Sequence, residues 1–223
     1  MPQPSVTNAF AESVTPTLKA AGFRRDSPKQ FRRLSGDLCQ CVFVHVESRM
    51  RREFMLEYCT FLTVVPHSHY PLDHGGRFPV GTQGTWYRAD TDERLARSME
   101  AVTTHLPALV DWFRATDSIE GYISTYLILR QSQPPALSHN GHSTFNLGCA
   151  YLLAGNSTEA LRQIEQARVE FDEIASRTPE TRVWAVPCSD RCRDLCDRIL
   201  SQTHHTLLDI WRQSTYTALK LSA

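Results

Sequence analysis

The sequence predicts an α+β fold, in which an antiparallel sheet of three to four strands is covered by helices and followed by an all-helical C-terminal extension. Three observations predict it. Residues 30–65 form runs rich in Val, Phe, Tyr, Thr and Cys, separated by short turn signals, as an antiparallel meander requires. Apolar residues at helical spacing precede and follow that block. Beyond Pro134-Pro135, which stops a helix, the patterns are helical. We therefore predict an α+β domain over residues 1–132 and a helical extension over residues 133–223.

The first predicted element is a helix near the N-terminus. Val6, Phe10, Val14 and Leu18 recur every four residues, which places them on one helical face. Pro16 lies inside this segment, so we expect a kink or a restart of the helix there.

Three strands are predicted next, over residues 30–34, 38–46 and 54–65, and polar turns join them. Side chains in the second strand alternate between two faces, and most of both faces is apolar. This pattern predicts the central strand of the three. Residues 66–85 are irregular, and Trp86-Tyr87 predicts a short edge strand after them.

Two helices complete the predicted α+β part. Asp90 and Thr91 are N-cap candidates, because acidic residues follow them in the first turn. The helix beyond them has apolar residues at spacings of three and four, namely Leu95, Met99, Val102, Leu106, Leu109 and Phe113. This stripe is expected to cover one face of the sheet. A further helix is predicted over about residues 117–131.

The extension is predicted to hold helices over about residues 144–154, 158–176 and 189–221. The first two resemble one tetratricopeptide repeat in the placement of Leu147, Gly148, Tyr151, Gly155, Ala160, Ile164 and Ala167. Such repeats gain stability by stacking, typically at least three together, and no second unit precedes or follows this one. We therefore predict a single helical hairpin, covered by one long C-terminal helix.

The composition excludes several classes of protein. Lys and Arg together number 24, as do Asp and Glu, so no global field attracts nucleic acid or an anionic membrane. No apolar run approaches the ~20 residues that span a bilayer, and the N-terminus lacks the features of a secretion signal. Seven scattered cysteines suit reduced thiols better than a disulfide framework. We expect a soluble, cytoplasmic protein.

The charge is nevertheless unevenly placed. Residues 19–52 hold nine basic and three acidic side chains. Such a block usually keeps a surface solvated, and the alternative is binding of an anionic partner through Arg24, Arg25, Arg32 and Arg33. Because Arg32 and Arg33 are adjacent on a strand, they are expected to face opposite sides of the sheet. This geometry argues against a flat nucleic-acid-binding patch.

One loop gathers possible metal ligands, namely His67, His69, Asp73 and His74, followed by Gly75-Gly76. It resembles the metallo-β-lactamase signature, and imidazoles with a carboxylate are suitable ligands for Zn²⁺. Two extra residues separate the second His from the Asp, however, and that fold needs more strands than this sequence predicts. We assign no metal ligand and keep a metal-dependent hydrolase that uses the His67–His74 loop as an alternative.

Three further cysteines lie at helical spacing, namely Cys188, Cys192 and Cys196. Zinc sites favour a close cysteine pair joined to a second pair elsewhere, so a buried row in a helix seam is the favoured interpretation. The sequence has no phosphate-binding Gly-rich loop, no G-x-S-x-G elbow and no H-E-x-x-H motif. It therefore assigns no catalytic, cofactor-binding or metal-binding residue and predicts no cofactor.

Several short motifs resemble a bacterial family known as a domain of unknown function (family 4304). They are Leu18-Lys19-x-x-Gly22-Phe23-Arg24-Arg25, Phe31-Arg32-Arg33, Arg77-Phe78, Trp86-Tyr87, the segment from Leu106-Pro107 to Trp112-Phe113, and Ser118-Ile119-Glu120-Gly121. The similarity covers about residues 9–129. It implies an α+β fold for that part and brings neither an activity nor a cofactor.

These observations favour a non-catalytic bacterial module that binds another protein, of the inhibitor or immunity type. Small sheet-and-helix proteins without catalytic signatures often have such roles, which is an analogy of class. The alternatives are the metal-dependent hydrolase and nucleic-acid binding through the basic N-terminal block. The expected partner is a protein; a membrane is not expected, and nucleic acid is disfavoured.

Overall fold

The computed structural model describes residues 5–47, 53–67, 74–132 and 141–221. They belong to two compact units, the first within Met1–Phe61 and His74–Asp117 and the second within Leu62–Asp73 and Ser118–Ala223. The α+β class is confirmed: an antiparallel sheet is followed by helices. None of the helices in the described part of the chain is both long and apolar enough to cross a bilayer.

The first unit contains the sheet and two helices. Its elements are α1 (Val6–Ala20), β1 (Arg24–Ser27), β2 (Gln30–Ser35), β3 (Leu38–Val46), β4 (Glu53–Leu62, whose last residue belongs to the second unit), β5 (Gly75–Arg77), β6 (Tyr87–Arg88) and α2 (Asp92–Ala115). The strand order is β1-β2-β3-β4-β5, and β6 also pairs with β4. β3 is therefore central among the three predicted strands, as expected. α1 continues through Pro16 without a restart.

The sheet has six strands, which is more than the three to four predicted. β1 and β5 are the unexpected ones. β1 consists of polar residues, and β5 has three residues of which two are glycine, so neither shows the apolar alternation of a half-buried strand. Gly75 fits beside β4 because a Cβ at that position would lie 2.0 Å from the carbonyl oxygen of Tyr58.

The core of this unit lies between the two helices and one face of the sheet. The predicted stripes of α1 and α2 both contribute to it, and the sheet contributes alternate residues of β2, β3 and β4, namely Phe31, Val42, Val44, Phe54, Leu56 and Tyr58. The prediction that the α2 stripe covers a sheet face is confirmed.

Arg33 joins the helices of this unit to the sheet. Its guanidinium donates hydrogen bonds to the carbonyl oxygen of Ala21 (2.9 Å) and to Oε1 of Gln40 (2.8 Å), with a longer contact to the carbonyl oxygen of Phe113 (3.5 Å). It also lies over the ring of Phe23, 5.3 Å from the centroid. Because Ala21 caps α1 and Phe113 lies in the last turn of α2, one side chain caps two helix C-termini.

The second unit is helical. Its elements are α3 (Ile119–Ser132), α4 (Gly141–Leu153), α5 (Ser157–Arg177), α6 (Pro179–Leu200) and α7 (His204–Ala218). The predicted boundary at residue 132 assigns α3 to the α+β part, whereas in the structure α3 packs against α4 within this unit. α4 and α5 form the predicted hairpin. A Cβ on Gly148 would approach Cγ1 of Ile164 to 2.6 Å, so the two helix backbones are close at this position.

The prediction of one long helix over residues 189–221 is wrong. α6 begins at Pro179, because Thr178 and Thr181 form a reciprocal capping box and proline is favourable at the first helical position. The helix ends at Leu200, and Gln202 then takes a left-handed conformation with φ of 58°. The break was not predicted because residues 201–203 contain neither Gly nor Pro.

Candidate functional site

An open groove of about 960 Å³ lies where α5 passes into α6. Its lining comes from the end of α5, the connecting residue and the first turns of α6: Asp172, Ala175, Ser176, Arg177, Thr178, Pro179, Arg182, Val183, Val186 and Pro187. All of these residues belong to the helical unit.

A very short connection defines the floor of this groove. Only Thr178 separates the two helices, and its backbone is extended, with φ of −146° and ψ of 158°. The backbone N–H of Thr181 donates to Oγ1 of Thr178, and the backbone N–H of Thr178 donates to Oγ1 of Thr181. These reciprocal bonds satisfy polar groups that a helix start would otherwise leave exposed, so the turn is well ordered.

Side-chain contacts fix the two walls. Ser189 on α6 donates to Asp172 on α5 at 2.6 Å, and Arg168 donates to the other oxygen of the same carboxylate at 2.7 Å. On the other side of α6, Trp184 stacks on His142 with the rings 5.7 Å apart and nearly parallel. Ala185 is fully buried. These contacts within the helical unit fix the groove before any partner binds.

The α6 wall presents aliphatic side chains to solvent. Val183 is 78% exposed and Val186 is 38% exposed, and Pro187 beside them is also exposed. Proline has no N–H, so the carbonyl of Val183 lacks its usual helical donor four residues on. A partner could contact these apolar side chains.

Two arginines give the groove a positive charge. Arg177 ends α5, Arg182 lies in the first turns of α6, and both are exposed. Neither guanidinium has an ion pair or hydrogen bond with another residue in the described ranges. The carboxylate of Asp172 does not neutralise them, because Arg168 and Ser189 already bind its two oxygens.

Sequence reasoning missed this groove, although one signal pointed to it. Thr178-Pro179 is a helix-start signature, and a helix that begins there places Val183 and Pro187 opposite the buried row of Ala185, Ser189 and Cys192. Without the helix start, the two valines resemble ordinary core residues.

The sheet unit holds a cluster of polar side chains that the sequence analysis did not predict. Nε2 of His45 lies 2.6 Å from Oε2 of Glu57, and Nε of Arg77 lies 3.5 Å from Oε1 of the same carboxylate. The pairing depends on the register of β3 and β4, which the backbone bond from Glu47 to Glu53 fixes. A His and an Arg side chain therefore flank one nearly buried carboxylate, in a geometry that serves the structure of the sheet.

The described residues of the His67–His74 loop have structural roles. The backbone N–H of His67 donates to Oγ1 of Thr215 on α7 at 3.2 Å. His74 is buried against Trp112, and burial lowers its pKa to about 3. His69 and Asp73 lie outside the described residues. Among the residues that are described, no group of three or more His, Cys, Asp or Glu side chains could hold a metal.

The cysteine row lies in a helix seam, as the sequence favoured. Cys192 is fully buried, while Cys188 and Cys196 are half-buried. Burial raises the pKa of all three thiols, to about 12 for Cys192 and about 11 for Cys196. They are therefore protonated at neutral pH, whereas the thiolate is the form that ligates metals and attacks electrophiles.

Four arginines of the basic N-terminal block have partners within the sheet unit. Arg32 lies 2.6 Å from Asp26 and is buried, whereas Arg33 is directed to the helix ends on the other face. The prediction that they face opposite sides is confirmed. Arg24 also pairs with Asp26, at 3.4 Å, and Nε of Arg25 donates to the backbone carbonyl oxygen of Ser27.

Comparison with known proteins adds no relative. No protein-family model matches the chain, and neither a curated protein nor a solved structure matches it significantly. The groove is therefore judged on its own geometry, and the resemblance of residues 9–129 to family 4304 stays a prediction.

Proposed function

We propose that this protein is a non-catalytic binding module that docks a segment of another protein in the α5–α6 groove. The observation that carries the proposal is the exposure of Val183 and Val186 on the wall of a preformed groove. Exposed apolar side chains that line a concave surface mark interaction sites more often than isolated ones do. Arg177 and Arg182 add the charged residue type that protein interfaces favour.

The inhibitor or immunity type remains the favoured class of binding module for this protein. In such a role the module would act by covering a surface of its target, which needs a rigid docking face and no reacting groups of its own. The capping box at Thr178 and the Asp172–Ser189 bond supply that rigidity. Preformed walls also reduce the conformational entropy lost on binding.

The proposal is tested with random peptides displayed on phage and selected on the immobilised full chain. Val183→Asp places a charge on the apolar wall, so we expect selected peptides to bind this variant about tenfold more weakly or not at all. Leu200→Asp is the matched control, because Leu200 lies on the same helix, is 71% exposed and is outside the groove lining. Dissociation constants are measured by fluorescence anisotropy.

If no peptide is enriched, or if both substitutions weaken binding equally, the groove is not the docking site. Thermal melts of the two variants are compared in parallel. Both side chains are largely solvent-exposed, so both proteins are expected to melt like the wild type.

A further inference from the structure

We infer that the occupant of the groove is an acidic segment of the partner protein, in which carboxylates flank an aliphatic side chain. This inference rests on the proposed function, because it names the chemistry of the segment that the groove binds. It is carried by the arrangement of the two unpaired guanidinium groups around the aliphatic wall.

The positive charge of the groove comes from both of its helices. Arg177 is contributed by α5 and Arg182 by α6, one on each side of Thr178. A guanidinium presents a planar fork of donors that matches a carboxylate in a bidentate arrangement. Two such forks on opposite sides of a one-residue turn select a ligand with more than one carboxylate.

The acidic residues near the groove do not occupy these forks. Asp172 is bound by Arg168 and Ser189. Glu180 lies in the first turn of α6, and no ion pair joins it to Arg177 or Arg182. Glu173 lies one turn before Arg177, and no ion pair joins the two. An incoming carboxylate therefore meets no internal competitor among the described residues.

The aliphatic side chains of the α6 wall favour a peptide over a nucleic acid as the occupant of the groove. Val183, Val186 and Pro187 offer aliphatic contact area to a Leu, Ile or Val side chain. Single-stranded nucleic acids instead bind where aromatic rings stack on the bases beside basic residues, and no aromatic residue lines this groove. Guanidinium groups combined with aliphatic side chains favour an acidic, aliphatic peptide.

The test is a pair of phage-display selections, one on the wild-type chain and one on the double variant Arg177→Glu, Arg182→Glu. We expect the wild type to enrich peptides in which Asp or Glu adjoins Leu, Ile or Val, and the double variant to enrich Lys or Arg in place of the acids. A wild-type-selected peptide should bind the double variant about tenfold more weakly. Its affinity for the wild type should also fall as salt rises.

The matched control is Arg193→Glu, Arg198→Glu. These two arginines lie on the same helix and pair with Asp190 and Asp194 outside the groove lining; Arg193 is exposed and Arg198 is partly buried. Wild-type-selected peptides should bind this variant with nearly unchanged affinity. A comparable loss in the control would show that net charge, and not the groove, selects the peptides, and would overturn the inference.

Two other outcomes are also decisive. Peptides that depend on Val183 but show no preference for acids would overturn the inference and leave the proposed function standing. A single-stranded oligonucleotide that binds more tightly than the selected peptides, and loses binding in the Arg177→Glu, Arg182→Glu variant, would replace the peptide with a nucleic acid as the occupant. Failure to enrich any Val183-dependent peptide is the separate failure of the proposed function.

Discussion

Three arginines of this protein, one in the sheet unit and two in the helical unit, lie in opposite environments. In the sheet unit, Arg33 is directed inward, where it binds Gln40 and the carbonyl oxygen of Ala21. In the helical unit, Arg177 and Arg182 are exposed at a groove, and their guanidinium groups bind no described residue. The basic excess in the sequence lies in the first unit, but the unpaired guanidinium groups of the groove lie in the second. A charge run in a sequence therefore does not by itself locate a binding surface.

The difference follows from the secondary structure around each residue. Arg33 lies on β2, on the sheet face that packs against the ends of α1 and α2, where helix carbonyls need donors. Arg177 and Arg182 lie at the end and the start of two helices, on the outside of a turn whose backbone groups are already capped by threonine. The first guanidinium completes the fold, and the other two are available to a ligand.

The sharpest test of this comparison is the same substitution in both units. Arg33→Ala should lower the free energy of unfolding by about 2–4 kcal/mol, because it leaves the side-chain oxygen of Gln40 and the carbonyl of Ala21 without a donor in a partly buried network. Arg182→Ala should change it by less than about 0.5 kcal/mol, as substitutions away from buried networks usually do. Urea denaturation of the two variants measures both values.

Arg25→Ala is the control within the sheet unit, because this exposed side chain on β1 bonds only to the nearby carbonyl of Ser27. Its free energy of unfolding is expected to change as little as that of Arg182→Ala. If Arg33→Ala were as stable as the two exposed variants, Arg33 would contribute no more to the stability of the fold than Arg182 does.

A smaller effect concerns the histidine that the sheet unit buries. The pKa of His74 in the folded protein is about 3, below the ordinary value of about 6.5. The unfolded chain therefore protonates this imidazole at a higher pH than the folded protein does. Its contribution to stability is present above pH 6.5 and is lost as the pH falls towards 3. Linkage predicts that about 2 kcal/mol is lost between pH 7 and pH 5. In His74→Gln, the difference between the free energies of unfolding at pH 7 and pH 5 should be smaller than in the wild type by that amount. If the free energy of unfolding depended on pH in the same way in the wild type and in His74→Gln, the imidazole of His74 would be accessible to protons in the folded protein.

Much of the fold was predictable because its signals are local. The four-residue spacing from Val6 to Leu18 and the stripe from Leu95 to Phe113 each define a helical face without reference to the rest of the chain. β1 and β5 were not predictable, since Arg24–Ser27 and Gly75–Arg77 become strands only because neighbouring strands offer backbone partners. The break at Gln202 likewise carries no Gly or Pro signal.

The groove was less predictable than the fold. Val183 and Val186 have the composition of core residues, and their exposure depends on which face of α6 is packed against α5, which is tertiary information. Alternation along β2 predicted that Arg32 and Arg33 face opposite sides, and the structure confirms it. Alternation could not predict that Arg33 would face two helix ends, because that depends on where α1 and α2 stop.

The smallest expected effect concerns metal content. The sequence left open a metal-dependent hydrolase that uses His67, His69, Asp73 and His74, which would be a second ligand-binding site besides the α5–α6 groove. We expect protein prepared without a His tag to hold no stoichiometric zinc when it is measured by inductively coupled plasma mass spectrometry. The reason is structural: the His74 ring is buried against Trp112, and the backbone of His67 is bonded to Thr215. Stoichiometric zinc that is lost in His69→Ala would establish the loop as a metal site and would favour the hydrolase over the binding module.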